Sequence, residues 1–154
     1  ATIPSGAAAG DTLIIPSRGM TAVRPNPLGG EPVSLWNQKT QKPATASPLI
    51  MEDTIYFTNS AGVLTAADRE TGKRLWRIRM KGPFSGSPVA CQNGHLYFFN
   101  EEGLGQVVDI SGDIGEVVSE FDLGETILAT PSISRNSLYI RSDQTLWKFS
   151  AQKE

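Results

Sequence analysis

Ala66-Ala67-Asp68-Arg69-Glu70-Thr71-Gly72-Lys73-Arg74-Leu75-Trp76 is the fullest statement of a unit that recurs four times along this chain. A proline opens each copy (Pro4, Pro48, Pro88 and Pro131), at a spacing of roughly forty residues. Trp76 closes the quoted stretch and has a counterpart forty positions upstream in Trp36. Working outward, each proline is followed by a turn and then a β run: Thr12 to Ile15, Thr54 to Phe57, His95 to Phe98 and Ser137 to Ile140. The turns are Gly10-Asp11, Glu52-Asp53, Asn93-Gly94 and Arg135-Asn136. Asn-Gly predicts a type I′ hairpin, because both residues tolerate a positive φ.

A polar loop separates that run from a third strand, Met20 to Val23, Val63 to Ala66, Gln106 to Asp109 and Thr145 to Phe149. A Gly-rich turn then leads to a fourth strand that ends in an aromatic residue: Trp36, Trp76 and, from the matching length after Gly115, Phe121. Each copy therefore reads as four antiparallel strands, A to D, and no stretch carries helical periodicity. Fifteen glycines and ten prolines agree with many tight turns. The fourth copy stops after strand C, since Ser150 to Glu154 is too short and polar to supply strand D. The fold expected is all-β: a β-propeller of four-stranded blades over 1–38, 45–81, 85–123 and 128–150, the last incomplete, forming a single propeller segment over 1–154. Aromatic rings at the ends of the D strands are expected between adjoining sheets, because one blade cannot bury both of its faces alone.

Composition narrows the function classes. The net charge is −2, with basic residues scattered and no basic stripe, so nucleic acid is not the expected partner. No run of eighteen apolar residues exists, so no transmembrane segment is expected. Ala1 to Gly10 lacks the basic and apolar regions of a signal peptide, although a mature chain would already have lost one. The single cysteine, Cys91, excludes an internal disulfide and reads as a half-buried small hydrophobe.

Residues with potential chemistry are sparse. His95, the only histidine, follows a hairpin tip and reads as a strand residue rather than a catalytic base. Glu101 and Glu102 are adjacent in a loop, where neighbouring side chains point apart into water. Gly103-x-Gly105 is too short for a phosphate loop and precedes a strand. Arg77, Arg79 and Lys81 alternate along a D strand, as a solvated face does. No catalytic, cofactor-binding or metal site is assigned.

The pattern Ala66-x-Asp68-x-x-Thr71-Gly72-x-x-x-Trp76 resembles the tryptophan-docking motif of the PQQ-like, or quinoprotein-dehydrogenase-like, propeller repeat. Ser47-Pro48 and Ser87-Pro88, each ahead of a strand, resemble the same repeat, and Thr130-Pro131 and Ile3-Pro4 are looser versions. The first copy carries an insertion around Arg24 to Gly30, and the third has Phe121 in place of Trp. The resemblance implies that Trp76 and Gly72 belong to the stacking between a blade and its neighbour. It points to the non-enzymatic branch, similar to the propeller lipoprotein of the outer-membrane barrel-assembly machinery. Redox members hold their quinone with a vicinal cysteine pair, a stacking Trp and a calcium site; one cysteine cannot form that pair, so no cofactor is expected. A periplasmic or secreted location is implied by the resemblance alone. Such propellers close with seven or eight blades, which makes this chain about half a ring. The missing blades would come from the remainder of a longer protein or from a second copy in a homodimer; a self-closed four-bladed ring is the third possibility.

In a four-stranded blade the B–C loops and D–A connections share one rim. That rim would carry Arg18, Asn59, Ser60, Asn100, Glu101, Glu102, Arg141 and Asp143, with Phe84 as an aromatic anchor. The leading expectation is a non-catalytic scaffold docking another protein there. Two alternatives stay open: a fragment of a quinoprotein oxidoreductase, and the sensor domain of a larger receptor or kinase.

Overall fold

The structure, a computed structural model, describes residues 3–150. These form fifteen strands and no helix. The strands make four separate antiparallel sheets. The chain divides into two compact units, Ala1–Arg79 and Met80–Glu154, each containing two sheets.

The first unit holds β1 (Ala7–Ala9), β2 (Thr12–Pro16), β3 (Met20–Arg24) and β4 (Val33–Gln38) in one sheet, in that order. Its second sheet is β5 (Leu49–Met51), β6 (Thr54–Thr58), β7 (Val63–Asp68) and β8 (Arg74–Arg79). Alternation puts every second side chain on one face. The cross-strand row Ile14–Ala22–Trp36 of the first sheet belongs to one core cluster with the row Ile50–Ile55–Ala67 of the second. Met20 and Phe57 extend that core by one step along each sheet.

The second unit holds β9 (Val89–Cys91), β10 (His95–Phe99), β11 (Leu104–Asp109) and β12 (Glu116–Asp122) in one sheet. Its other sheet has three strands, β13 (Ser132–Ser134), β14 (Ser137–Arg141) and β15 (Leu146–Ser150). Ala151 to Glu154, in the stretch expected to be too short for a fourth strand, lies outside the described residues. Phe99, Ile127 and Ile140 centre the core here, with Tyr97, Phe121, Leu123, Leu138 and Trp147 packed around them.

Two local expectations change. The Asn93-Gly94 hairpin is not a two-residue type I′ turn: the ladder resumes at Cys91 opposite His95, leaving three loop residues, and of the two only Gly94 has a positive φ (+80°). A three-residue loop with a left-handed glycine at its end also matches the strand twist. The two-residue turns are those led by Gly10, Glu52 and Arg135, which hold φ of 59°, 52° and 53° themselves.

The second change concerns the docking aromatic of the third copy. All three complete sheets carry a β-bulge at the same place between strands C and D. The last C-strand residue before the bulge pairs with Trp36 in the first sheet, with Trp76 in the second and with Ser119 in the third. Phe121 sits two residues further on, opposite Gly105, where the first sheet has Gln38 opposite Met20. Phe121 folds over Gly105 so closely that a Cβ there would lie 2.5 Å from the ring. Counting from the turn glycine misplaces the aromatic because Gly30 stands three residues before the start of β4 and Gly115 only one before the start of β12.

Candidate functional site

Two kinds of site residue were expected: those that join sheets, and those that line a rim. In the first unit the joint is built on the turn after β7. Asp68 accepts hydrogen bonds at Oδ1 from the Thr71 amide (2.8 Å) and hydroxyl (2.6 Å). The Gly72 amide bonds the Asp68 carbonyl at 2.8 Å, and Gly72 takes a left-handed φ of +66°. A short acid, a hydroxyl three residues on and a left-handed glycine are what this turn requires. Arg69 ties the turn to the neighbouring hairpin, with Nη2 at 2.7 Å from Asp53 Oδ1.

That turn presents three carbonyls to the first sheet. Trp36 Nε1 donates to the Arg69 carbonyl at 2.9 Å, Gln38 Nε2 to that of Thr71 at 3.0 Å, and Gln41 Nε2 to that of Gly72 at 3.3 Å. The indole over Gly72 is thus that of Trp36, which is only 9% exposed, while Ala66 is fully buried in β7. Trp76 is half-buried and tilts against Tyr56 of its own sheet, ring centroids 5.9 Å apart. Burial pushes the Tyr56 phenol above its ordinary value. In the second unit Phe121 meets Phe99 at 5.7 Å and Phe149 at 5.5 Å.

The rim residues separate into loop frames, buried or half-buried groups and exposed ones. Asn59 Oδ1 accepts from the amides of Ala61 and Val63, and Asn100 Oδ1 from those of Glu102 and Leu104. Asn100 is buried and also donates to the Lys81 carbonyl at 3.0 Å, which Gln106 Nε2 shares at 2.9 Å. These asparagines hold their loops and are not surface ligands. Phe84, expected as an exposed anchor, is 4% exposed and packs edge-on against Phe98 at 5.7 Å. A Phe beside a strand of Phe and Tyr gains more by burial than by display. Glu101 is half-buried, accepting from Ser85 Oγ at 2.7 Å. Arg18 and Ser60 are exposed in the first unit, and Arg141 and Asp143 in the second.

One residue that sequence reading missed organises the second unit's rim. Glu125 Oε2 accepts from Ser142 Oγ (2.5 Å) and the Gln144 amide (3.2 Å), and Oε1 from Thr145 Oγ1 (2.7 Å). Those hydroxyls, Ser142 first and then Thr145, hold the Glu125 carboxyl below its ordinary value. Ser142 Oγ in turn accepts from Trp147 Nε1 at 2.9 Å. Glu125 therefore fixes the loop between β14 and β15, which follows Arg141 and carries Asp143. Its only sequence signal is an acid between two strands, which many surface loops share.

His95 lies within β10, in register with Cys91 and Asp109. Among the described residues no three His, Cys, Asp or Glu side chains stand together as a metal site. Among the described residues no helix is long and apolar enough to cross a membrane.

A family model described as outer membrane protein assembly factor BamB matches residues 1–79 and again 60–153. No curated protein matches the chain. Among solved structures, the crystal structure of BamB from Moraxella catarrhalis matches with a TM-score of 0.68 at 19% identity, over 92% of this chain and 43% of that one. The chain thus spans less than half the length of that protein and shares its β-propeller fold. With two overlapping matches that run from one end of the sequence almost to the other, the chain belongs to the outer membrane protein assembly factor BamB family.

Proposed function

We propose that this chain is a non-catalytic propeller scaffold that docks a protein partner of an outer-membrane assembly complex, on the periplasmic side. The observation that carries the reading is the family match over both halves of the chain. The second unit supplies the surface: Arg141 ends β14 and Asp143 lies in the following loop, which Glu125 and Ser142 hold and which backbone bonds at Thr126 and Ile127 link to Glu101. Loops that carry exposed charge of both signs on a fixed frame suit specific protein contact, where charge sets orientation and encounter rate. Arg18 and Ser60 are the exposed positions of the corresponding loops in the first unit. The blades that complete the ring come from the remainder of the same protein. Ala66, Asp68, Thr71, Gly72 and Trp36 serve that scaffold by joining its first two sheets, and Trp76 and Phe121 contribute to sheet packing.

Site-specific photo-crosslinking in the periplasm tests the reading. A photoreactive residue at Asp143 is expected to give one discrete adduct with a partner protein, weakened by Arg141→Glu. The same label at Leu75, exposed on an outer strand, is expected to give none. Labels at 101, 141 and 143 that all stay unlinked while the chain is folded would overturn it.

A further inference from the structure

Six asparagines occur in the chain, and the fold sets one of them apart. A carboxamide is lost when the backbone nitrogen of the next residue reaches the side-chain carbonyl carbon, so that nitrogen must carry a hydrogen and lie open. Asn26 precedes Pro27, whose nitrogen has no hydrogen. Asn37 is tied through Nδ2 to Thr21 Oγ1 at 2.6 Å, and Asn59 and Asn100 hold their own loops through Oδ1. Asn136 is exposed, but Ser137, the first residue of β14, follows it and screens the nitrogen with a side chain. Asn93 alone is both exposed and followed by glycine, whose missing Cβ leaves the nitrogen unscreened. It sits in the three-residue loop Gln92-Asn93-Gly94, where the Gly94 amide donates to the Cys91 carbonyl at 3.2 Å, the long end of the N–H···O range. A bond of that kind at a hairpin tip opens by local fluctuation while the strands stay paired. The Gly94 carbonyl accepts from the Ile110 amide at 2.9 Å, so this A–B turn also pins the segment that follows β11.

We propose that Asn93 is a site of spontaneous covalent modification, closing on the Gly94 amide and reopening as isoaspartate, which lengthens the A–B turn of the third sheet by one backbone carbon. The Gly94 amide gives up its proton to water, and its nitrogen bonds Asn93 Cγ. The Cγ–Nδ2 bond then breaks, and the side-chain nitrogen takes a proton from water and leaves as ammonia. A five-membered imide remains. Water opens that ring at either of its carbonyl carbons. Attack at Cγ restores the ordinary main chain and leaves aspartate. Attack at the Asn93 backbone carbonyl carbon leaves the main chain running through Cβ and Cγ and frees the α-carboxylate. Both openings consume one water and add one negative charge. Only the second moves Gly94 away from its bonds to Cys91 and Ile110, and away from Ser111, whose Cβ stands 3.7 Å from where a side chain on Gly94 would begin. The reaction needs only water, and it does not depend on the docking reading.

Peptide mapping by mass spectrometry, on the folded chain held at mildly alkaline pH, tests this. The expected result is conversion at residue 93 ahead of the other five asparagines, into a mixture of isoaspartate and aspartate. Asn93→Gln is expected to lose that product, because its longer side chain would have to close a six-membered ring. Hydrogen exchange of the Ile110 amide is expected to speed up in the isoaspartate fraction and to stay unchanged in Asn93→Asp, which adds the charge without the extra carbon. Both variants alter an exposed loop residue and are expected to fold as the native chain does. A residue 93 that keeps its amide in the folded chain while the urea-unfolded chain converts overturns the proposal, because the turn bond then protects it. First conversion at Asn136 overturns it too, since glycine would not be what exposes the nitrogen. Aspartate without isoaspartate overturns the imide route. Equal exchange at Ile110 in the isoaspartate and Asn93→Asp forms overturns the loosening of the turn.

Discussion

Trp36 lies on Gly72 with no room for a side chain between them: a Cβ on Gly72 would stand 2.6 Å from the indole. Backbone conformation and packing demand glycine there for separate reasons, since φ is +66°. Gly72→Ala is expected to cost more than the roughly 1–2 kcal/mol of a left-handed alanine, because the indole must also move. Trp36→Ala is expected to cost about 3–5 kcal/mol, the range for a buried aromatic. Urea denaturation of both variants checks this; a midpoint unchanged in Trp36→Ala would show that the indole does not join the sheets.

Phe84 and Arg141 are expected to behave oppositely. Phe84→Ala is expected to lower stability by about 3–5 kcal/mol, because its ring is buried against Phe98. Arg141→Ala is expected to leave stability within about 0.5 kcal/mol, as exposed substitutions do, and to act on partner binding instead. Thermal melts with parallel crosslinking separate the two; an Arg141 variant that unfolds early would refute this division.

Asn100→Ala is expected to lose about 1–3 kcal/mol, since it strips an acceptor from two amides in a buried loop. Asn59→Ala, at a half-buried loop of the same form, is expected to lose less. Amide exchange is the sharper readout: Glu102 and Leu104 are expected to lose protection before the strands do. Uniform loss across the second unit would place the role of Asn100 elsewhere.

Glu125 gives a pH dependence with a definite sign. Its folded carboxyl titrates below the ordinary value of 4.5, so its contribution is present above that value and is lost as pH falls through the folded pKa. The stability gap between the native chain and Glu125→Gln is therefore expected to be constant from neutral pH down to about 4.5 and to close below it. Melting curves of the pair at stepped pH test this. A gap that widens on acidification would contradict the hydroxyl-bonded carboxylate.

The strands were legible because period, proline and turn residues repeat four times, and Asp68, Thr71 and Gly72 announce their turn by residue type alone. Partners across a joint were not. Nothing in the spacing of Gly115 and Phe121 reveals that the indole position falls to Ser119, because the turn glycine stands at a different distance from strand D in each copy. The rim was misjudged for a related reason: Asn59 and Asn100 look like polar loop residues, and only the amides they accept from reveal them as frames. The recurrence of Asn-x-x-Gly at Asn59–Gly62 and Asn100–Gly103 was the available sign. Glu125 had none, because its partners Ser142 and Thr145 lie seventeen and twenty residues away.

The seating of Trp36 on Gly72 bears on how such a chain can be rebuilt. Steric fit travels as a matched couple split between two successive modules, so the natural unit for transplantation begins in the middle of one module and ends in the middle of the next. Grafting whole modules by their proline borders would divorce that couple, setting the indole against a side chain or leaving the glycine bare.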